Sequence, residues 1–239
     1  MNRFCLILLA SLLALASSAF ATSTTCPTGP LTLYLAGPTF SCTTNLLTFK
    51  FDGSSSYIAS GTNLLPATSI TVVPILTSGD EGFTFSAPWS VNGPNSSMDG
   101  LIQFTASGPS INDLELFFNG GFTGSGLTNV VENYCLNGPL IGCPNGSSGQ
   151  IKVTNPPQGF NDQIFFASAT SVSVSKDVEL STGSSIGTAF ISQVANNFSA
   201  SQTKSFSTPE PLSFVLLGSG LLVLGLLRKR RGLGANPVH

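Results

Sequence analysis

Histidine is almost missing from this chain: the single copy, His239, lies beyond a basic cluster at 228–231, and none stands between residues 22 and 208. That removes from the body of the chain the usual general base for a serine nucleophile and the commonest neutral ligand for zinc. Cations are scarce as well. Within 22–208 only Lys50, Lys152, Lys176 and Lys204 face ten carboxylates (Asp52, Asp80, Glu81, Asp99, Asp113, Glu115, Glu132, Asp162, Asp177, Glu179), a net charge of −6. Phosphate binding needs concentrated Lys and Arg, so nucleic acid is excluded as a partner and anionic lipid as a docking surface. Solubility is the plainer meaning of the acidic balance. The body is also poor in Ala, Glu, Lys and Arg, which argues against a helical fold.

What the chain does have is concentrated first at its two ends. Met1-Asn2-Arg3 is a positive n-region, residues 4–16 are apolar, and Ala19-Phe20-Ala21 offers a small-x-small cleavage site, the pattern of a secretory signal peptide over 1–21. Cys5 is not placed at the end of the apolar stretch, where a lipoprotein signal would carry it. At the other end stand Pro209-Glu210-Pro211, an uncharged apolar run at 212–227, and Arg228-Lys229-Arg230-Arg231. As a helix the run reaches about 24 Å against a hydrocarbon core of about 30 Å, a marginal span suited to a temporary anchor. The four cations hold its C-terminal side in the cytoplasm, and the prolines keep the approach extended.

This tripartite tail, 209–231, resembles the PEP-CTERM sorting signal. The resemblance implies processing by a membrane-embedded enzyme of the exosortase type in a Gram-negative bacterium that exports polysaccharide. It also implies a mature protein in the outer envelope, at the cell surface or in the extracellular matrix, with exopolysaccharide or other surface proteins as partners. Residues 232–239 extend past the pattern and read as a short cytoplasmic tail. The body is loosely similar to the β-rich ectodomains found with such tails, a likeness that carries no assigned catalytic or binding residue.

Four cysteines remain after the signal: Cys26, Cys42, Cys135 and Cys143. An even count in an exported chain points to disulfides. Three pairings are possible, and the two local ones, Cys26 with Cys42 and Cys135 with Cys143, are favoured because each closes a Gly/Pro-containing loop. Zinc is the competing reading, but there is no CxxC spacing and no histidine nearby.

Between 22 and 198 the composition is that of strands and turns. In Val172-Ser173-Val174-Ser175-Lys176-Asp177-Val178-Glu179-Leu180 the apolar residues share one face, and shorter alternations occur at 47–51, 102–106 and 114–118. Apolar runs at 31–35, 70–76, 83–85, 127–136, 164–167 and 186–198 bring the expected strands to about ten, with Pro74 demanding an edge or bulge and a helical turn possible within 127–134. The expected fold is all-β, a single antiparallel β-sandwich of the jelly-roll kind. Residues 199–208 read as a polar stalk.

Several patterns invite chemistry. Gly183-Ser184-Ser185-Ile186-Gly187 matches the G-x-S-x-G elbow but has no base, so it reads as a Gly/Ser hairpin turn. Ser173-Val174-Ser175-Lys176 matches S-x-x-K, but on a strand Ser173 and Lys176 point oppositely. Lys176 itself falls on the apolar side of its strand. It therefore marks a strand end, snorkels, or pairs with an acid. Asp113 with Glu115, and Asp177 with Glu179, share strand faces as glycosidase acids do, and as a solvated sheet face does. Asn92, Asn95 and Asp99, with Asp80 and Glu81, supply oxygens for Ca²⁺ or simply for turns. Trp89, Tyr34, Tyr57 and Tyr134 are the candidate sugar-stacking rings, scattered enough to be core or rim. No cofactor is implied. The expectation is an exported, non-enzymatic protein acting by association, with a carbohydrate- or Ca²⁺-binding adhesion module as the alternative and a hydrolase third.

Overall fold

A computed structural model describes residues 24–77, 79–155 and 160–201. The expected signal peptide with Ala19 and Ala21, the expected stalk from 202 on, the Pro209-Glu210-Pro211 motif, the expected span at 212–227, the Arg228–Arg231 cluster and the expected tail at 232–239 all lie outside those residues. Among the described residues no helix is long and apolar enough to cross a membrane.

The described residues form nine strands: β1 (Gly29–Pro30), β2 (Phe40–Thr43), β3 (Thr48–Phe51), β4 (Tyr57–Gly61), β5 (Thr71–Thr77), β6 (Asp80–Asn92), β7 (Ser97–Leu136), β8 (Ser148–Asn155) and β9 (Asn161–Ser199). They join one antiparallel sheet in the order β1-β5-β6-β9-β7-β3-β2, with β4 and β8 also on β7. The two long strands are each broken by register shifts, and their partners change at the breaks. Residues 97–107 and 126–136 of β7 flank residues 171–182 of β9, with β3 and β4 outside the former and β8 outside the latter. Residues 113–124 of β7 lie between residues 161–165 and 187–197 of β9, and β6, β5 and β1 follow.

The curled sheet thus has two layers, the first around 171–182 and the second around 187–199, which fold face to face in the manner of a β-sandwich. Phenylalanines join them. Phe49 from the first layer meets Phe83 from the second at 4.5 Å between ring centroids, and Phe104 meets Phe85 and Phe198 at 6.2 Å each. Such edge and tilted pairs add about 0.5–1.5 kcal/mol each beyond the area they bury.

Strands that pass from layer to layer need corners. At one of them Gly124 has φ of +58°, and a Cβ on Gly126 would stand 2.0 Å from the carbonyl oxygen of Thr188. Gly187 opposes them, its missing Cβ 2.7 Å from the Gly126 amide. The Gly183–Gly187 stretch is therefore a corner inside β9, not the hairpin turn expected: the chain continues as strand on both sides, and the glycines allow backbones to approach closely.

Other expectations change for local reasons. Leu31–Tyr34 is a single helical turn, α1, rather than a strand, because the residues it buries are Leu31 and Tyr34, spaced three apart, while Leu33 faces solvent. Residues 127–134 are strand throughout, held on both edges by β8 and β9. The sheet also outlasts its expected end at 198. Ser199 closes β9, Ala200 bridges Ile111, and the Ser201 amide donates to Ser110 at 2.9 Å. Pro74 sits in β5, next to the two-residue edge strand β1, where its missing N–H is tolerated.

Both local disulfides are present, Cys26–Cys42 and Cys135–Cys143, closing sequence separations of 16 and 8. They fit an extracellular or periplasmic setting rather than a reducing cytosol. Replacing Gly126 by Ala should lower unfolding stability by about 1–3 kcal/mol through backbone displacement at the corner, read as a shift in urea midpoint at unchanged slope.

Candidate functional site

The reactive residues singled out in the sequence are mostly structural partners. Ser173 and Lys176 lie on opposite faces of β9: the Ser173 hydroxyl donates to the Gly138 carbonyl at 2.7 Å on the outside, and Lys176 is fully buried inside. Of the three readings of Lys176, pairing is the one realised. It faces Glu132 across the β7–β9 register, its ammonium donating to Glu132 Oε2, with both side chains fully buried. Asn196, from the second layer, donates its amide to the same carboxylate at 2.5 and 2.6 Å. Burial pushes the lysine below its ordinary range, and the Glu132 charge opposes that shift. No solvent or substrate reaches this group, so its perturbation belongs to the core and not to catalysis.

The paired carboxylates behave likewise. Asp113 accepts from the Ser199 amide at 2.6 Å and from Gln163 at 2.9 Å, and Glu115 accepts from Asn197 at 3.3 Å. The supposed cation ligands do not converge. Glu81, fully buried, accepts from the Leu46 and Leu47 amides at 2.9–3.0 Å and from Thr44, while Asn95 supplies the positive φ of a turn. Among the described residues no cluster of three or more His, Cys, Asp or Glu is arranged to hold a metal ion.

The outer face of the first layer carries the most organised polar surface. Thr105 and Ser173 share a hydrogen bond of 3.1 Å, Gln103 donates to Ser175 at 3.1 Å, Gln150 to Asn133 at 2.9 Å, and Thr154 to Asn129 at 2.9 Å. One end of this face is walled by the loop at 137–147, which the Cys135–Cys143 bridge and Asn137 pin down. The Asn137 side-chain oxygen accepts from the Thr170 amide at 2.8 Å and from the Ser171 amide at 3.3 Å. Between that wall and the turn at Gly53–Ser56 lies an open cleft of about 220 Å³, with Gln103, Thr105 and Ser173 on the floor and Pro139, Leu140 and Ile141 on the apolar lip.

At the opposite end of the same face three acids meet. Glu179 pairs with Asp99 in register and Asp177 with Leu101, one step along. Burial, a hydrogen bond that the protonated Asp177 carboxyl donates to the neighbouring Asp99, and the charges of Asp99 and Glu179 push Asp177 up to about 7. Ser60 donates to Asp99 at 2.8 Å and Asn129 to Glu179 at 3.1 Å, so part of this cluster is already satisfied from within.

Of the rings named from the sequence, Trp89 and Tyr34 are buried, Tyr134 stacks on Phe166, and the Tyr57 hydroxyl donates to Leu65 at 2.6 Å. They form no platform. Among the described residues the exposed rings are four phenylalanines instead: Phe117, Phe165 and Phe190, at 38%, 70% and 46% exposure, on the outer face of the second layer, and Phe160, at 48%, against the buried Phe118. The signal for one of them was in the sequence. Leu114, Leu116 and Phe118 alternate inward, which leaves Phe117 outward with Glu115.

No protein-family model matches the chain, and no curated protein does. Among solved structures it is similar to TmCBM61 in complex with β-1,4-galactotriose, at 14% identity over 59% of this chain and 88% of that one, with a TM-score of 0.30. It is similar also to the enzymatically active domain of bacteriophage CBA120 tailspike protein 4, at 13% identity over 60% of this chain and 19% of that one, TM-score 0.28. A third is the Glycosylation Associate Protein (Gap123) complex from Streptococcus agalactiae, at 11% identity, 61% and 26% coverage and TM-score 0.27. Likenesses at this level hand the chain neither a ligand nor an activity.

Two outcomes follow from the buried and half-buried charges. Lys176→Met alone, which strands Glu132, should cost about 3–5 kcal/mol, whereas replacing Lys176, Glu132 and Asn196 together by apolar residues of similar volume should cost much less; chemical denaturation distinguishes the two. For Asp177 the folded-state value lies above that of the unfolded chain, so its contribution is full below about pH 4 and is lost as pH rises through about 7. Stability should therefore fall over that window, and Asp177→Asn should flatten the dependence in a series of thermal melts.

Proposed function

We propose that the chain is an exported envelope or matrix protein that acts by association and not by catalysis, built as a jelly-roll-like sandwich between two targeting segments. The observation that carries the reading is the disposition of its reactive groups. The buried Lys176, Glu132, Glu81 and Asp113 are taken up by internal partners, while the outer sheet faces offer amides, hydroxyls and a few aromatic rings to whatever lies outside. The two disulfides support a place beyond the cytosol.

In this reading residues 1–21 are removed on export, and the 212–227 helix holds the precursor in the inner membrane. An exosortase-type enzyme then acts at the tail marked by Pro209, Glu210 and Pro211, with Arg228, Lys229, Arg230 and Arg231 kept on the cytoplasmic side. The mature body joins exopolysaccharide or other surface proteins. Fractionation with mass spectrometry of the C-terminus, in cells with and without the processing enzyme, tests it. The tail should be shortened in the first strain and intact to His239 in the second; an intact 211–239 segment in both would refute the sorting assignment.

A further inference from the structure

Three phenylalanines on the outer face of the second layer lie in a line. Phe165 of β9 pairs with Asp113, Phe117 stands four residues further along β7, and Phe190 of β9 pairs with Gly121, four residues beyond that. The three occupy adjacent strand segments, so each step combines about 13 Å along the strands with one strand spacing across, roughly 14 Å in all. One of the rings is held against the sheet. Phe190 lies across Gly121, where a Cβ would stand 3.0 Å from the ring, and no side chain of Gly121 lifts it off the sheet.

Between Phe117 and Phe190 stand Asn119 and Gln193, paired in register, whose side-chain amides have no hydrogen-bond partner among the described residues. Of the described lysines, Lys50 and Lys152 belong to the first layer and Lys176 to the core, so none of them lies on this face, while Glu115 adds a negative charge beside Phe117.

We infer that this diagonal is the binding track for a linear, neutral polysaccharide, a proposal that rests on the association reading above and gives it a ligand class and a face. The face of an aromatic ring is electron-rich and takes the C–H face of a pyranose, while amides with both donor and acceptor free match sugar hydroxyls. Evenly stepped rings suit a ligand with a repeat. An acidic glycan is disfavoured because the described residues of this face include a carboxylate and no cation to meet it. A second protein copy fits less well: the core of a protein interface is contiguous and apolar, whereas these rings are isolated by polar rows.

The test measures binding of the purified full chain, in detergent, to neutral 1,4-linked gluco- and galacto-hexasaccharides, their disaccharides, and polygalacturonate. Hexasaccharide is expected to bind in preference to disaccharide and polygalacturonate. Phe117→Ala, Phe165→Ala and Phe190→Ala should each weaken binding by about tenfold, while Gln103→Ala, in the cleft of the other layer, leaves it unchanged. Phe165, the most exposed of the three, provides a variant whose fold is safe, and a melt accompanies each. The proposal is overturned if neither neutral hexasaccharide binds, if polygalacturonate binds better, if loss follows Gln103→Ala and not the ring variants, or if the ring variants convert a dimer to a monomer. Tail processing without glycan binding would sink the track and leave the sorting assignment standing; binding by a chain whose tail is never processed would do the reverse.

Discussion

A fully buried ammonium group, paired between two strands of one layer and reached from the other, constrains the rest of the fold. Taking Lys176 out of water costs several kcal/mol, and only an acid directly opposite, with its remaining lone pairs filled, offsets that. Glu132 stands there because β7 and β9 pair in one register; a slip by one residue would turn Lys176 outward and Val174 and Val178 with it. Asn196 completes the arrangement from the other layer. One polar contact thus sets both the register within a layer and the position of one layer on the other.

The remaining devices follow from that geometry. Since β7 and β9 each visit both layers, the chain must turn within strands, and Gly124, Gly126 and Gly187 let the two backbones pass. The hairpin of β2 and β3 is tied to β6 by Glu81, whose carboxylate fills the Leu46 and Leu47 amides that would otherwise be buried without acceptors. The disulfides then brace segments that the sheet holds least: Cys26–Cys42 the entry to β2, and Cys135–Cys143 the loop between β7 and β8.

The sequence disclosed this design unevenly. Segments with one buried face were legible, since alternation at 172–180, 102–106 and 114–118 reflects the pleat itself. The pairing of Cys26 with Cys42 and of Cys135 with Cys143 was legible from loop chemistry. The strands β2, β4 and β8 were not, because Phe40–Thr43, Tyr57–Gly61 and Ser148–Asn155 are edge or outer segments with weak alternation. Nor could the sequence say which acid meets Lys176, a contact made across 44 residues, or that Gly183–Gly187 turns between layers, since a corner and a hairpin draw on the same residues. The exposed rings were hard to read for a different reason: phenylalanines usually go inside, and only at Phe117 does a clear alternation of neighbours mark the outward position.

That last point bears on function. A sandwich of this kind has enough apolar residues to fill its core, and half of its described phenylalanines do so. Phe117, Phe165 and Phe190 are outside by position in the pleat, one to each of three neighbouring segments, where an aggregation-prone edge would have been their worst placement. Dispersed among Asn, Gln, Ser and Thr, they make no contiguous apolar patch of the size that binds proteins or lipid. A surface whose described residues keep the rings apart, leave the intervening amides without partners and include no cation suits the polar, uncharged, ring-bearing partner proposed for it.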